Sequence, residues 1–167
     1  TIAWCEFYFS SSALANRRAL SIEGTGTASS GFLSVTLHHN YFSDFVDQRM
    51  PAATYSHVHL YNNYFKPTTG TPNTSASTAA TGAQLFNEAN LYQSIVSPLT
   101  KSSGGLIRVI GDTYTAATGT APDAGTDSVF TPAYSYMFRP TASVATNVLA
   151  PAGNLLGAAT ATPLAPT

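Results

Sequence analysis

The octapeptides VTLHHNYF (residues 35–42) and VHLYNNYF (residues 58–65) are two copies of one pattern, an alternating apolar strand closed by Asn-Tyr-Phe. Their shared asparagines are Asn40 and Asn63; NEANLYQ puts Asn90 at the equivalent place, and VIGDTYT puts Asp112 there. A fainter copy upstream, TIAWCEF, has Cys5 in that slot. Such a spacing is too short for repeats built from helix pairs and fits one turn of a solenoid of short strands. Within each copy the apolar residues alternate: Val35 with Leu37, Val58 with Leu60, Ile107 with Val109. Period two buries one face of a strand and leaves the other wet. Stacking the copies sets Val35 on Val58 and Leu37 on Leu60, which makes a continuous interior. Asn and Asp at one corner of successive turns can bond up and down the stack and satisfy the backbone groups there. The expected fold is all-β, a right-handed single-stranded parallel β-helix. A leucine-rich horseshoe would need spaced leucines and intervening helices, and the chain has neither. Tyr41, Tyr64 and Tyr92 recur near the corners and are expected to form a stacking ladder rather than a sugar platform.

The coils are expected over residues 1–140, with exposed loops at 66–82 and 115–127, where Pro, Thr, Ser, Gly and Ala replace the strand pattern. Residues 141–167 have no strand period and are expected to pack on the outside of the coil or to fray. Only 9% of residues are charged, against about 25% in an average soluble protein. Small polar residues in their place suit the turns of an extracellular β-protein, so secretion is expected. The net charge of −1 leaves no basic stripe to neutralise phosphates, which argues against nucleic acid. No apolar run is long enough to span a membrane. Cys5 is the single cysteine, and Asn73-Thr74-Ser75 fits a glycosylation triplet. The opening TIAWCEFYF reads like the inside of a domain.

Over residues 35–65, VTLHHNYFSDFVDQRMPAATYSHVHLYNNYF, the chain resembles the pectate lyase/pectin lyase family of parallel β-helices. That family carries a His-His-Asn strand, an Arg-x-Pro-x-x-Arg-x-Gly stretch, and a strand of the type Val-His-x-Tyr-Asn-Asn-Tyr. Arg49, Pro51, Val58, His59, Tyr61, Asn62, Asn63 and Tyr64 match it in register. LFNEANLYQSIVSPLT and AYSYMFRPTASVATNVLAPAG resemble the family's late coils and C-terminal segment. The resemblance implies cleavage of α-1,4-polygalacturonate by β-elimination, in which a base removes the C5 proton and the glycosidic oxygen leaves C4. It implies that Arg49 is that base. The family's second arginine falls at Thr54 and its glycine at Ser56, so one substrate-binding cation is replaced by a hydroxyl. That loss loosens the grip on a carboxylate and favours methyl-esterified substrate. In place of the family's substrate-binding lysine stands NRRALSIEG (16–24), which offers Arg18 or Arg17. His59 matches a family position and joins Arg18 and Thr54 as an expected substrate-binding residue. The implied cofactor is calcium, with ligands in an N-terminal half that the resemblance places before this chain. That half is expected as a separate piece bound to this one, with pectic polysaccharide as the other partner.

Residue spacing alone supports plainer readings beside these. Arg49 would pair with Asp44 or Asp47 on the surface, and Arg18 would sit in solvent. His57 and His59 point the same way along a strand, with His38 and His39 one turn earlier; this spacing suits zinc, but also a stack of polar residues beside a turn. Two other functions remain open: a calcium-independent pectin lyase, and a catalytically silent β-helix that binds pectin or serves as a surface protein.

Overall fold

The computed structural model describes residues 1–29, 31–67, 75–118 and 125–150. Its strands come in threes. The first turn holds β1 (Ile2–Ala3), β2 (Glu6–Phe7) and β3 (Ser21–Glu23), and the next holds β4 (Ser34–His38), β5 (Tyr41–Phe42) and β6 (Ala52–Thr54). Then come β7 (His57–Tyr61), β8 (Tyr64–Phe65) and β9 (Ser77–Ala79), followed by β10 (Gln84–Glu88), β11 (Leu91–Gln93) and β12 (Leu99–Lys101). β13 (Leu106–Ile110) and β14 (Thr113–Thr115) close the series. Each strand pairs in parallel with its counterpart one turn away, giving a first sheet β1-β4-β7-β10-β13, a second β2-β5-β8-β11-β14 and a third β3-β6-β9-β12. This is the expected parallel β-helix.

The period-two pattern sets the register. Val35, Val58, Leu85 and Ile107 stack inward along the first sheet, and Leu37 stacks on Leu60 beside them. Leu37, Val58, Leu60, Leu85 and Ile107 are fully buried. Between the first and second sheets the chain turns through one residue of left-handed backbone in each turn: Trp4, His39, Asn62, Ala89 and Gly111. Only the last is a glycine, so four side chains carry a conformation that costs L-residues free energy. The ladder that follows offsets this cost. Asn63 Oδ1 accepts from the backbone N–H and side-chain Nδ2 of Asn40, both at 3.0 Å. Asn90 does the same for Asn63, and Asp112 for Asn90. Cys5 occupies the first rung as expected, its N–H donating to Asn40 Oδ1.

One aromatic column runs through the interior next to this corner and ends at the exposed Tyr114. Phe7, Phe42, Phe65, Tyr92 and Tyr114 stack at centroid spacings of 4.8, 4.7, 4.4 and 5.3 Å. Offset aromatic stacks contribute about 0.5–1.5 kcal/mol per pair beyond the area they bury. The tyrosine ladder is thereby corrected: Tyr41 stacks on Tyr64, but Leu91 lies over Tyr64, and Tyr92 continues the phenylalanine column.

The segment that follows β14 does two things: residues 125–127 pair antiparallel with the free edge of β13, and residues 130–139 cover the outward face of the first sheet. Val109 N–H donates to Gly125 O at 2.8 Å. Gly125 has φ +52°, and an added Cβ would lie 2.4 Å from Val109, so only glycine brings the backbone this close. At the far end Asn62 acts as a backbone mimic, accepting from Arg139 N–H at 2.6 Å and donating to Arg139 O at 2.7 Å.

Two expected boundaries shift. The loop expected at 66–82 contains β9, whose Ser77 and Ala79 are buried; residues 68–74, with Asn73 and Thr74 of the glycosylation triplet, lie outside the described residues. The loop expected at 115–127 likewise holds the end of β14 and the buried Gly125, while residues 119–124 are not described. Of the expected tail, residues 144–149 form a short helix α1 with Val144 buried, and residues 151–167 are not described.

Candidate active site

Arg49 stands at the entry to β6, in the connection from the second sheet to the third. Its own backbone is left-handed, with φ 58°, and the Met50–Pro51 peptide that follows is cis. Met50 and Pro51 are buried, which pins the arginine at the rim of the third sheet. Its guanidinium folds back onto the preceding turn. Nη1 donates to Ser21 Oγ at 2.8 Å and lies 3.4 Å from Glu23 Oε1. Both acceptors come from β3, whose middle residue Ile22 is buried while Ser21 and Glu23 face out. The pairing expected with Asp44 or Asp47 is therefore replaced by one with Glu23. Asp44 and Asp47 lie in the same connection as Arg49, whereas Glu23 is carried under it by the coil.

Arg18 is brought to the same rim. It forms a parallel bridge with Gln48, and Leu20 N–H donates to Arg49 O at 2.8 Å, so Arg18 lies one turn below Arg49. Arg18 is exposed and Arg17 buried. Thr54 ends β6 directly beside Glu23 in the pairing of β3 with β6. The third sheet's outward surface continues as Ala52, Thr78 and Thr100, with a 2.7 Å hydrogen bond between the two threonine hydroxyls. Thr54 and Glu23 thus face out beside one another, with Arg49 at their edge and Arg18 in the strand register below it.

His59 is not on the third sheet. It lies on β7 in the first sheet, 1% exposed, beneath the covering segment. Nε2 bonds Glu88 Oε2 at 2.7 Å and Nδ1 bonds the Tyr134 hydroxyl at 2.7 Å; Tyr136 also donates to Glu88. The expectation that His59 contacts substrate is corrected: both ring nitrogens are occupied and the ring is shielded from solvent. The other histidines pack likewise. His38 stacks on Tyr61, His39 on Trp4, and His57 on Phe130. Burial lowers all three, His39 to about 4, so they favour the neutral form. Among the described residues no three His, Cys, Asp or Glu side chains converge as a cation site, so the residues present do not fit the implied calcium.

The sequence reading missed Ser21 and Glu23. The only signal would have been the register of the third sheet, where three-residue strands of small side chains carry no readable period.

The chain matches a family profile described as pectate lyase over residues 8–154. It is 29% identical over 106 residues to a pectate trisaccharide-lyase of Bacillus licheniformis, covering 62% of this chain and 29% of that protein. It is 28% identical over 134 residues to a probable pectate lyase A of Aspergillus oryzae, covering 80% of this chain and 39% of that one. The chain therefore spans well under half the length of these curated relatives. Among solved structures, a Bacillus pectate lyase in complex with trigalacturonate superposes with a TM-score of 0.62 at 24% identity, over 87% of this chain and 46% of that one. A pectate lyase bound to a hexasaccharide gives 0.62 at 20% identity, over 88% and 38%. At such identities the superpositions show the fold alone.

Proposed function

The chain belongs to the pectate lyase family, and from that premise we propose that it forms part of a secreted polysaccharide lyase that cleaves α-1,4-linked galacturonan by β-elimination, with Arg49 as the base. The observation that carries this reading is the position of Arg49 on the rim of the third sheet, with Arg18 one turn below it. In the reaction the C5–H bond breaks and its proton passes to the base. The electron pair forms the C4=C5 double bond as the C4–O bond breaks, and the departing oxygen takes a proton from water. A guanidinium is an unusual base because it is rarely deprotonated in proteins. Its fixed position has to compensate, and the buried Met50–Pro51 anchor supplies that rigidity.

Arg18 and the Thr54 hydroxyl are the proposed contacts to the chain on either side of the cleaved bond. Calcium, on which pectate lyases generally depend, would need ligands from beyond the described residues. In the full-length protein, Arg49→Lys should lower release of the ultraviolet-absorbing unsaturated product on the order of a thousandfold, with unchanged far-ultraviolet circular dichroism. Retained activity would move the base elsewhere. Turnover with and without a chelator separates a calcium-dependent lyase from a calcium-independent one; no product in either condition would leave a silent β-helix. The threonine at position 54, where the family pattern carries arginine, is the observation that keeps the esterified substrate in view.

A further inference from the structure

We propose that Glu23 is a specificity-determining residue, which makes the face of the third sheet discriminate against a free uronate carboxylate and in favour of its methyl ester. The inference rests on the reading of this face as the site of galacturonan cleavage. It comes from the charge arrangement around Arg49. The outward positions Ser21, Ala52, Thr54, Thr78 and Thr100 are all uncharged. The guanidinium at their edge already has a counter-ion, Glu23 Oε1 at 3.4 Å, and a neutral acceptor, Ser21 Oγ at 2.8 Å. Both charged side chains are open to an incoming chain, with exposures of 35% for Arg49 and 59% for Glu23.

A uronate carboxylate arriving over β3 and β6 meets two obstacles. It competes with Glu23 for the same guanidinium, and it must lie close to Glu23's own charge in a contact that sheds water. Like charges brought that near repel strongly once solvent is displaced. The position beside Glu23, where an arginine would cancel the repulsion, is Thr54. A methyl ester meets neither obstacle. Its carbonyl also accepts the electron pair released at C5 more readily than a carboxylate, which is already negative.

The test compares polygalacturonate with highly methyl-esterified pectin as substrates of the full-length protein. Wild type, Glu23→Gln and Glu23→Asp are assayed for unsaturated product. Glu23 is exposed, so neither substitution disturbs a packed interior. Glu23→Gln should raise the ratio of kcat/KM on polygalacturonate to that on esterified pectin by about tenfold, mainly through KM. The shift should shrink in high salt. Glu23→Asp, which keeps the charge, should stay near the wild-type ratio. An unchanged ratio, or an equal loss on both substrates, overturns the role of Glu23 while leaving the lyase reading intact. A wild-type protein that forms no unsaturated product from either substrate overturns the lyase reading itself, and this inference with it.

Discussion

Asp112 ends the corner ladder with a carboxyl where the three rungs before it carry amides. Its Oδ1 accepts from Asn90 N–H at 2.7 Å and from Asn90 Nδ2 at 3.1 Å, but its Oδ2 is buried without a partner. On the lower rungs the corresponding atom is an amide nitrogen that donates to a carbonyl of the strand one turn earlier, Asn63 to Leu37 and Asn90 to Leu60. An oxygen in that place has nothing to donate unless it carries a proton. Burial pushes Asp112 up to about 7, with the charge of Glu88 adding to the rise and the interactions with Asn90 and the Tyr114 hydroxyl opposing it. The folded value lies above the ordinary one, so the folded state holds more protons between the two. The contribution of Asp112 to stability is therefore greatest below about pH 4, falls as pH rises to about 7, and levels off beyond. Asp112→Asn supplies the missing donor. It should flatten this slope and raise the urea midpoint near neutral pH while changing little below pH 4. Equal slopes for the two proteins would mean that Asp112 is ionised throughout.

Between elements, the contact with most at stake is that of the covering segment with the first sheet. Glu88 is its hub, joined to His59 on the adjacent strand and to Tyr136 across the layer. Removing it leaves buried polar groups unpaired, at about 1–3 kcal/mol each. Glu88→Ala should therefore speed amide hydrogen exchange across residues 130–139 more than in the interior strands. Uniform exchange would show that the aromatic contacts of Phe130 and Tyr134 suffice to hold the segment. This layer is where the sequence was hardest to read. The first sheet and its corner were legible because five-residue strands repeat an alternating pattern and finish on Asn or Asp, as in β4 and β7. The third sheet was not, because strands such as Ala52–Thr54 and Ser77–Ala79 are too short and too small to show a period. His59 looked like a site residue for a related reason: its partners Glu88 and Tyr134 are 29 and 75 residues away, and only the coil brings them together. Arg49 and Thr54 could be given places because the motif match fixed their spacing, whereas Arg18 and Arg17 stayed alternatives. Glu23 matched no motif position and so gave no signal.

At the scale of the whole molecule, β1, β2 and β3 each have a partner on one side only among the described residues. Half-paired strands present open donors and acceptors, and such edges template pairing with another chain. Around them Trp4, Tyr8 and Leu14 are exposed. Expressed as these 167 residues, the chain should sediment as associated species whose size grows with concentration. A 17.5 kDa monomer at every concentration would refute this. The stacked architecture has a further mechanical consequence. Each turn is bonded to its neighbours through strand pairs whose hydrogen bonds run along the axis of the coil. A force pulling the two ends apart along that axis peels a terminal turn first, since it is held on one side only, so the molecule would give way turn by turn rather than all at once. Freeing the turn between Asn40 and Asn63, 23 residues apart, would lengthen the tether by about 8 nm, and the force trace would count the rungs of the ladder.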